Sequence, residues 1–135
     1  VATIEVARVY EPLTAPPGAQ YVLVDRLWPR GVARSSLGSV TWARDVAPST
    51  ALRRWYGHDP ARFDEFSRRY RAELAAPPAA DIVARLARLA RRQPVVLLTA
   101  TRDVPHSAAA VLRTVLLEQQ RRRSVPPPPT DGAPA

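Results

Sequence analysis

Three clusters of polar and ionisable side chains stand where the chain turns from apolar to polar. The first is Asp25-Arg26-Leu27-Trp28-Pro29-Arg30, directly after the apolar run Val22-Leu23-Val24. The second is Thr101-Arg102-Asp103 with His106-Ser107, directly after Val95 to Thr99. The third is Arg53-Arg54-Trp55-Tyr56-Gly57-His58. Carboxylates and imidazoles move protons, and guanidinium groups grip carboxylate or phosphate through paired hydrogen bonds. Asp25, Asp103 and His106 are therefore the candidate catalytic groups. Arg26, Arg30, Arg53 and Arg102 are candidate anion ligands, and Trp28, His58 and Thr101 are candidates for the rest of the binding surface. Each cluster also has a plainer reading. Ion pairs made by Asp25 and Arg26, or by Arg102 and Asp103, would only hold loops. The tryptophans would pack as walls, and the histidines would stay solvated or cap helices.

The elements that must position these clusters can be read from spacing. Strands are expected at Thr3 to Tyr10, Tyr21 to Asp25 and Val95 to Thr99, the last opened by Pro94. Pro29 has no ladder donor, so the chain must leave the sheet at Trp28. A short helix is expected within Leu37 to Val46, ended by Ala47-Pro48. Ser49 or Thr50 suits the cap of a second helix, which stops at Gly57. Asp59-Pro60 reads as the start of a third, whose Phe63, Phe66, Tyr70 and Leu74 form one apolar stripe. Pro77-Pro78 separates it from a helix carrying Ile82, Leu86 and Leu89. The last helix begins near Ser107 and places Val111, Leu112, Val115 and Leu116 on one face.

Helices leading into and out of the third strand imply crossover connections, hence parallel pairing. The expected fold is a small single-domain α/β protein, with a largely parallel sheet of three to four strands flanked by helices. Residues 1–123 make up the domain, and the proline-rich stretch 124–135 is a disordered tail. The fourth strand would be hidden in a loop. In such a sheet ligands gather at the carboxyl ends of the strands, where the first two clusters lie.

Absences narrow the chemistry. There is no cysteine, which removes disulfides, thiolate metal sites and a cysteine nucleophile. None of the five glycines stands in a G-x-G arrangement, so neither a dinucleotide fingerprint nor a P-loop is present and no cofactor is indicated. His58 and His106 are too far apart for an H-x-x-x-H pair, and no metal site is expected. Ser49 lacks a G-x-S-x-G setting, which favours a cap over a nucleophile. No apolar run approaches bilayer length and no basic, apolar leader opens the chain, so a cytoplasmic protein without membrane contact is expected. All twenty basic residues are arginine, and Lys, Asn and Met are missing. That pattern resembles the coding bias of a GC-rich genome. The net charge of +8 would still permit salt-sensitive binding of nucleic acid or an acidic partner.

Val22 to Gly31, the A-P-S-T-x-L-R-R-W-Y-G-H-D-P segment from Ala47 to Pro60 and the F-x-x-R-Y-x-x-E-L of Phe66 to Leu74 resemble the YeaO-like family, a domain of unknown function. The likeness runs from about Ile4 to Leu117. It implies one small α/β domain with shared polar residues around a sheet edge, and it implies no reaction. Asp25, Arg26, Arg30, Arg53, His58, Asp103 and His106 match the family pattern. Thr99, Thr101, Ser107 and Tyr21 depart from it, where an aromatic, a small residue, Asn and a basic residue are usual. The first expectation is a pocket for a small phosphate- or carboxylate-bearing ligand, with or without a reaction. The alternative is a non-enzymatic module that binds nucleic acid or an acidic partner through its arginines.

Overall fold

The computed structural model describes residues 3–15, 17–38 and 40–124. The proline-rich segment expected to be disordered lies, from Val125 onward, outside the described residues. The strands are β1 (Ile4–Arg8), β2 (Gln20–Leu23), β3 (Thr41–Trp42) and β4 (Val95–Thr99). The helices are α1 (Thr50–Tyr56), α2 (Phe63–Leu74), α3 (Ala79–Arg92) and α4 (Ala108–Ser124).

All four strands are parallel, in the order β1-β4-β2-β3. The expected α/β fold is therefore present. Strand β4 is central and buried along its whole length, which suits its unbroken apolar run. Alternate residues sort onto two faces. Ile4, Val22, Val24, Val95 and Leu97 join the core formed with all four helices. Leu23, Val96 and Leu98 point the other way and are covered by Leu13, Ala15, Trp28 and Val40 from the loops after β1 and β2 and by Trp42 of β3.

Handedness accounts for this division. The chain steps from β1 to β2 to β3 in one direction and then returns to β4. Parallel crossovers are right-handed, so a reversal of direction requires the opposite face of the sheet. The loops therefore take one face and α1 to α3 the other.

The stretch expected as a helix within Leu37 to Val46 is instead a 3-10 turn (Arg34–Leu37), strand β3 and a second 3-10 turn (Arg44–Val46). Gly38 at φ 60° breaks the chain direction. Val40 and Trp42 then pack on the loop-covered face, whereas Ala43 and Val46 enter the helical core. The segment crosses from one face to the other, which a single helical stripe cannot do. This two-residue strand is the hidden fourth.

Helices α2 and α4 are clamped by Arg71, whose Nη1 and Nη2 donate to the two Glu118 carboxylate oxygens at 2.9 and 3.2 Å. Those hydrogen bonds hold Glu118 below its ordinary range. A depressed carboxylate adds stability above its unfolded value, near 4.5, and loses it as pH falls through the folded value. Glu118→Gln is expected to lower the unfolding free energy at pH 7 by less than about 1 kcal/mol, because the pair is half-exposed. The deficit should shrink as pH falls below 4.5 in urea titrations. A deficit that persists there would contradict this assignment.

Candidate functional site

Because every strand is parallel, all four carboxyl ends open on one edge of the sheet. A cavity of about 590 Å³ lies there. Its walls come from Tyr10 after β1, from Val24 to Arg30 after β2, and from Ala100 and Thr101 after β4. Ala47, Pro48, Arg53, Arg54, Tyr56 and His58 line it from the β3 exit and α1. Ser107 and Ala108 at the start of α4 complete it.

Asp25 ties these exits together. Its Oδ1 accepts from the Thr99 hydroxyl at 2.8 Å and its Oδ2 from the Ala100 amide at 2.7 Å. Its main-chain carbonyl accepts from the Trp42 indole at 2.8 Å. One residue therefore stitches β2 to β4 and β3. The Thr99 hydroxyl oxygen also accepts from the Thr101 amide at 3.2 Å, extending the stitch by two residues. Burial raises the Asp25 carboxyl above its ordinary range, opposed by the Ala100 amide, the Thr99 hydroxyl and the Arg53 charge. Both carboxylate oxygens are already engaged, and their partners belong to the loop they hold.

The basic side chains of the cavity have no such engagement. Arg26, Arg30, Arg53 and Arg54 all line it, and none forms an ion pair among the described residues. The Arg26 Nε is buried without an acceptor among them. The lining holds a single carboxylate, that of Asp25. Elsewhere in the fold Arg62, Arg68, Arg69 and Arg71 each meet a carboxylate. The cavity thus gathers four cations around one carboxylate, Asp25, whose charge Arg53 feels without forming an ion pair among the described residues.

Local structure explains how they converge. Pro29 is buried, and the Trp28 indole donates to the Val32 carbonyl at 2.6 Å, closing the loop on itself. Trp28 meets Trp42 edge-on at 5.4 Å, and the Arg34 guanidinium lies 4.7 Å from the Trp28 ring centre. The Tyr10 hydroxyl donates to the Arg30 carbonyl at 2.9 Å, fixing the far end of the loop to the β1 exit. On the opposite wall Ser49 caps α1 by accepting from the Leu52 amide at 3.2 Å. Its hydroxyl donates to Glu73 Oε2 at 2.6 Å, so Ser49 is a cap held by α2. Tyr56 stacks on Phe66 at 4.2 Å and donates to the His106 carbonyl at 2.6 Å, joining α1 to the turn before α4.

Gly57 ends α1 in the left-handed conformation at φ 56°, and His58 follows at the same φ. A Cβ at Gly57 would meet only the Arg54 carbonyl, at an ordinary 3.8 Å. The cost of Gly57→Ala is therefore backbone strain alone, expected at about 1–2 kcal/mol in urea unfolding. A neutral substitution would show that this turn is not held as described.

Seven of the ten residues singled out from sequence line the cavity: Asp25, Arg26, Trp28, Arg30, Arg53, His58 and Thr101. Arg102, Asp103 and His106 do not. Arg102 is exposed, and Asp103 Oδ2 lies 2.8 Å from His106 Nδ1. The His106 ring packs edge-on against Phe63 at 5.1 Å. Asp103 and His106 thus form a pair of their own in the 3-10 turn Val104–His106 and its cap. Sequence reasoning passed over Tyr10, Leu27 and Arg54 as site residues. Arg54 adjoins Arg53 in the third cluster and was within reach. Tyr10 required knowing that β1 ends beside β4.

The protein is a small α/β fold, a parallel four-stranded sheet with its helices on one face and a cavity at its carboxyl edge. The chain belongs to the family described as the inactive DUF488-N3 subclade, whose model matches residues 3–132. It is 36% identical over 109 residues to the uncharacterized protein YeaO of Escherichia coli K12, covering 81% of this chain and 92% of that one. It is 49% identical over 109 residues to the uncharacterized protein Rv3073c of Mycobacterium tuberculosis H37Rv, covering 81% and 89%. The uncharacterized protein Mb3100c of Mycobacterium bovis matches to the same extent. No solved structure matches the chain. Among the described residues no helix is long and apolar enough to cross a membrane, and no group of three or more His, Cys, Asp or Glu could hold a metal ion.

Proposed function

We propose that the chain is a binding protein for a small anion bearing phosphate or carboxylate groups, held at the carboxyl edge of the sheet. One observation carries this reading: four arginines without ion-pair partners among the described residues line one cavity whose only carboxylate is already bonded. Guanidinium groups keep their charge at any physiological pH, so their mutual repulsion is a standing cost that an anion relieves. The cavity volume falls within the usual range for small-ligand sites.

The proposed role is binding without turnover. Each Asp25 carboxylate oxygen already accepts a hydrogen bond, from Thr99 or from Ala100, and the Asp103–His106 pair lies outside the cavity lining. The family's description as an inactive subclade agrees with that reading.

Thermal unfolding with inorganic pyrophosphate tests it. Saturation at one hundred times the dissociation constant adds about 2.7 kcal/mol to the folded state. The expected result is a rise in midpoint that saturates with concentration and is absent with choline chloride at equal ionic strength. No rise with pyrophosphate, phosphate or citrate would remove the proposal.

A second reading has its own support. Arg34 lies over both Trp28 and Trp42, and Arg44 lies 4.4 Å from the Trp42 ring centre, which carries the basic surface from the cavity to the β3 edge. A nucleic-acid strand could track that path. It would show a steep loss of affinity with salt, the slope following the number of phosphates neutralised.

A further inference from the structure

Among the described residues two large hydrophobic side chains are exposed, Tyr10 at 48% and Leu27 at 69%. Both line the arginine cavity. They come from the segments that follow two different strands, β1 and β2, and their neighbours are fastened. The Tyr10 hydroxyl is bonded to the Arg30 carbonyl, and the Arg8 guanidinium stands 5.4 Å from its ring centre. Leu27 sits between Arg26, with its buried Nε, and Trp28, whose indole is bonded to Val32.

Isolated apolar residues on a surface are ordinary, but here the exposed ones coincide with the charged cavity. A bare inorganic anion would satisfy the arginines and leave Tyr10 and Leu27 in water. A polymer gripped by its backbone would need charge spread along an open path, whereas these four arginines converge with the two apolar groups on one cavity. The shape calls for a ligand with several negative oxygens at one end and a flat or apolar body at the other.

We infer, building on the anion-binding reading above, that the ligand is a nucleoside phosphate, with its phosphates on Arg26, Arg30, Arg53 and Arg54 and its base against Tyr10 and Leu27. Four fixed charges suit more than one phosphate group, and an aromatic ring accepts any base because every base has a flat face. The assignment is to the chemical class, not to one base.

Calorimetric titration of the full chain with ADP, GDP, CDP, UDP and inorganic pyrophosphate separates the two claims. Pyrophosphate carries at least the charge of a nucleoside diphosphate without the body. At least one nucleoside diphosphate is expected to bind about tenfold more tightly than pyrophosphate. Leu27→Ser and, separately, Tyr10→Ala should shrink that ratio to within about twofold. Leu27 is exposed, so the serine variant should fold, as circular dichroism would verify. Equal affinity for pyrophosphate and all four nucleotides would overturn the inference and leave the anion pocket standing. So would a ratio that survives both substitutions, or a thymidine decanucleotide that binds tenfold more tightly than any nucleotide. Failure of pyrophosphate and nucleotides alike would remove the pocket reading as well.

Discussion

Replacing Arg53 and Arg54 together by alanine is expected to weaken pyrophosphate binding on the order of one hundredfold while leaving the fold intact. A hydrogen bond to a charged group contributes about 1.5–3 kcal/mol, two are removed, and the exposure of both side chains keeps the sum at the low end, about 3 kcal/mol. Both side chains are exposed on α1, and alanine is a better helix former than arginine, so the unfolding free energy should change by less than about 0.5 kcal/mol. The contrast between the two measurements is the substance of the prediction. Calorimetry with pyrophosphate, beside urea unfolding of the same sample, reads both. Affinity within threefold of the parent would show that these arginines belong to the solvated surface. A loss of affinity accompanied by a large loss of stability would show that they hold the fold.

Asp25→Ala should do the reverse, lowering stability first. It leaves the Ala100 amide and the Thr99 hydroxyl without the acceptor that both now share. Stranding buried donors costs about 1–3 kcal/mol each, partly offset by release of a desolvated charge. A net loss of about 2–3 kcal/mol is expected. Asp25→Asn adds a test by pH. Burial raises the folded Asp25 value above the unfolded one, near 3.8. The folded state therefore holds the proton more tightly, and the contribution of Asp25 to stability grows as pH falls from above the folded value to below 3.8. The deficit of Asp25→Asn relative to the parent should be larger at pH 3.5 than at pH 7. A deficit that shrinks in acid would mean that Asp25 behaves as an ion-paired carboxylate held low, with the arginines as its purpose.

The regular elements were legible because their periods are long. Helix α2 repeats its aromatic stripe over twelve residues, and β4 is an apolar run between Pro94 and Thr101. Strand β3 was not legible, because two residues carry no period and their partners on β2, Val22 and Leu23, stand nineteen positions back. Half of the site was legible too. Charged residues directly after apolar runs marked the β2 and β4 exits, and parallel pairing put them on one edge. The position of Asp103 and His106 away from the cavity has a physical cause. Residues that follow a strand exit face the cavity only while the chain stays at the rim. Here it turns away within two residues, into a 3-10 turn that pairs Asp103 with His106 locally. The plainer reading of Asp25 as a loop fastener was right about the loop and wrong about the partner. Its bonds go to Thr99 and Ala100 across the sheet, and Arg26 is left with an unsatisfied Nε.

In the proposed function one cavity, and not the arginine-rich surface at large, takes up the anion. Nuclear magnetic resonance of the labelled chain titrated with pyrophosphate tests it most directly. Saturable shifts are expected at the Arg26, Arg30, Arg53 and Arg54 Nε–H groups and at the Thr101 and Ala108 amides, with Arg102 and His106 unmoved. Shifts spread evenly over Arg34, Arg44, Arg102 and the helix surfaces, without saturation, would contradict it.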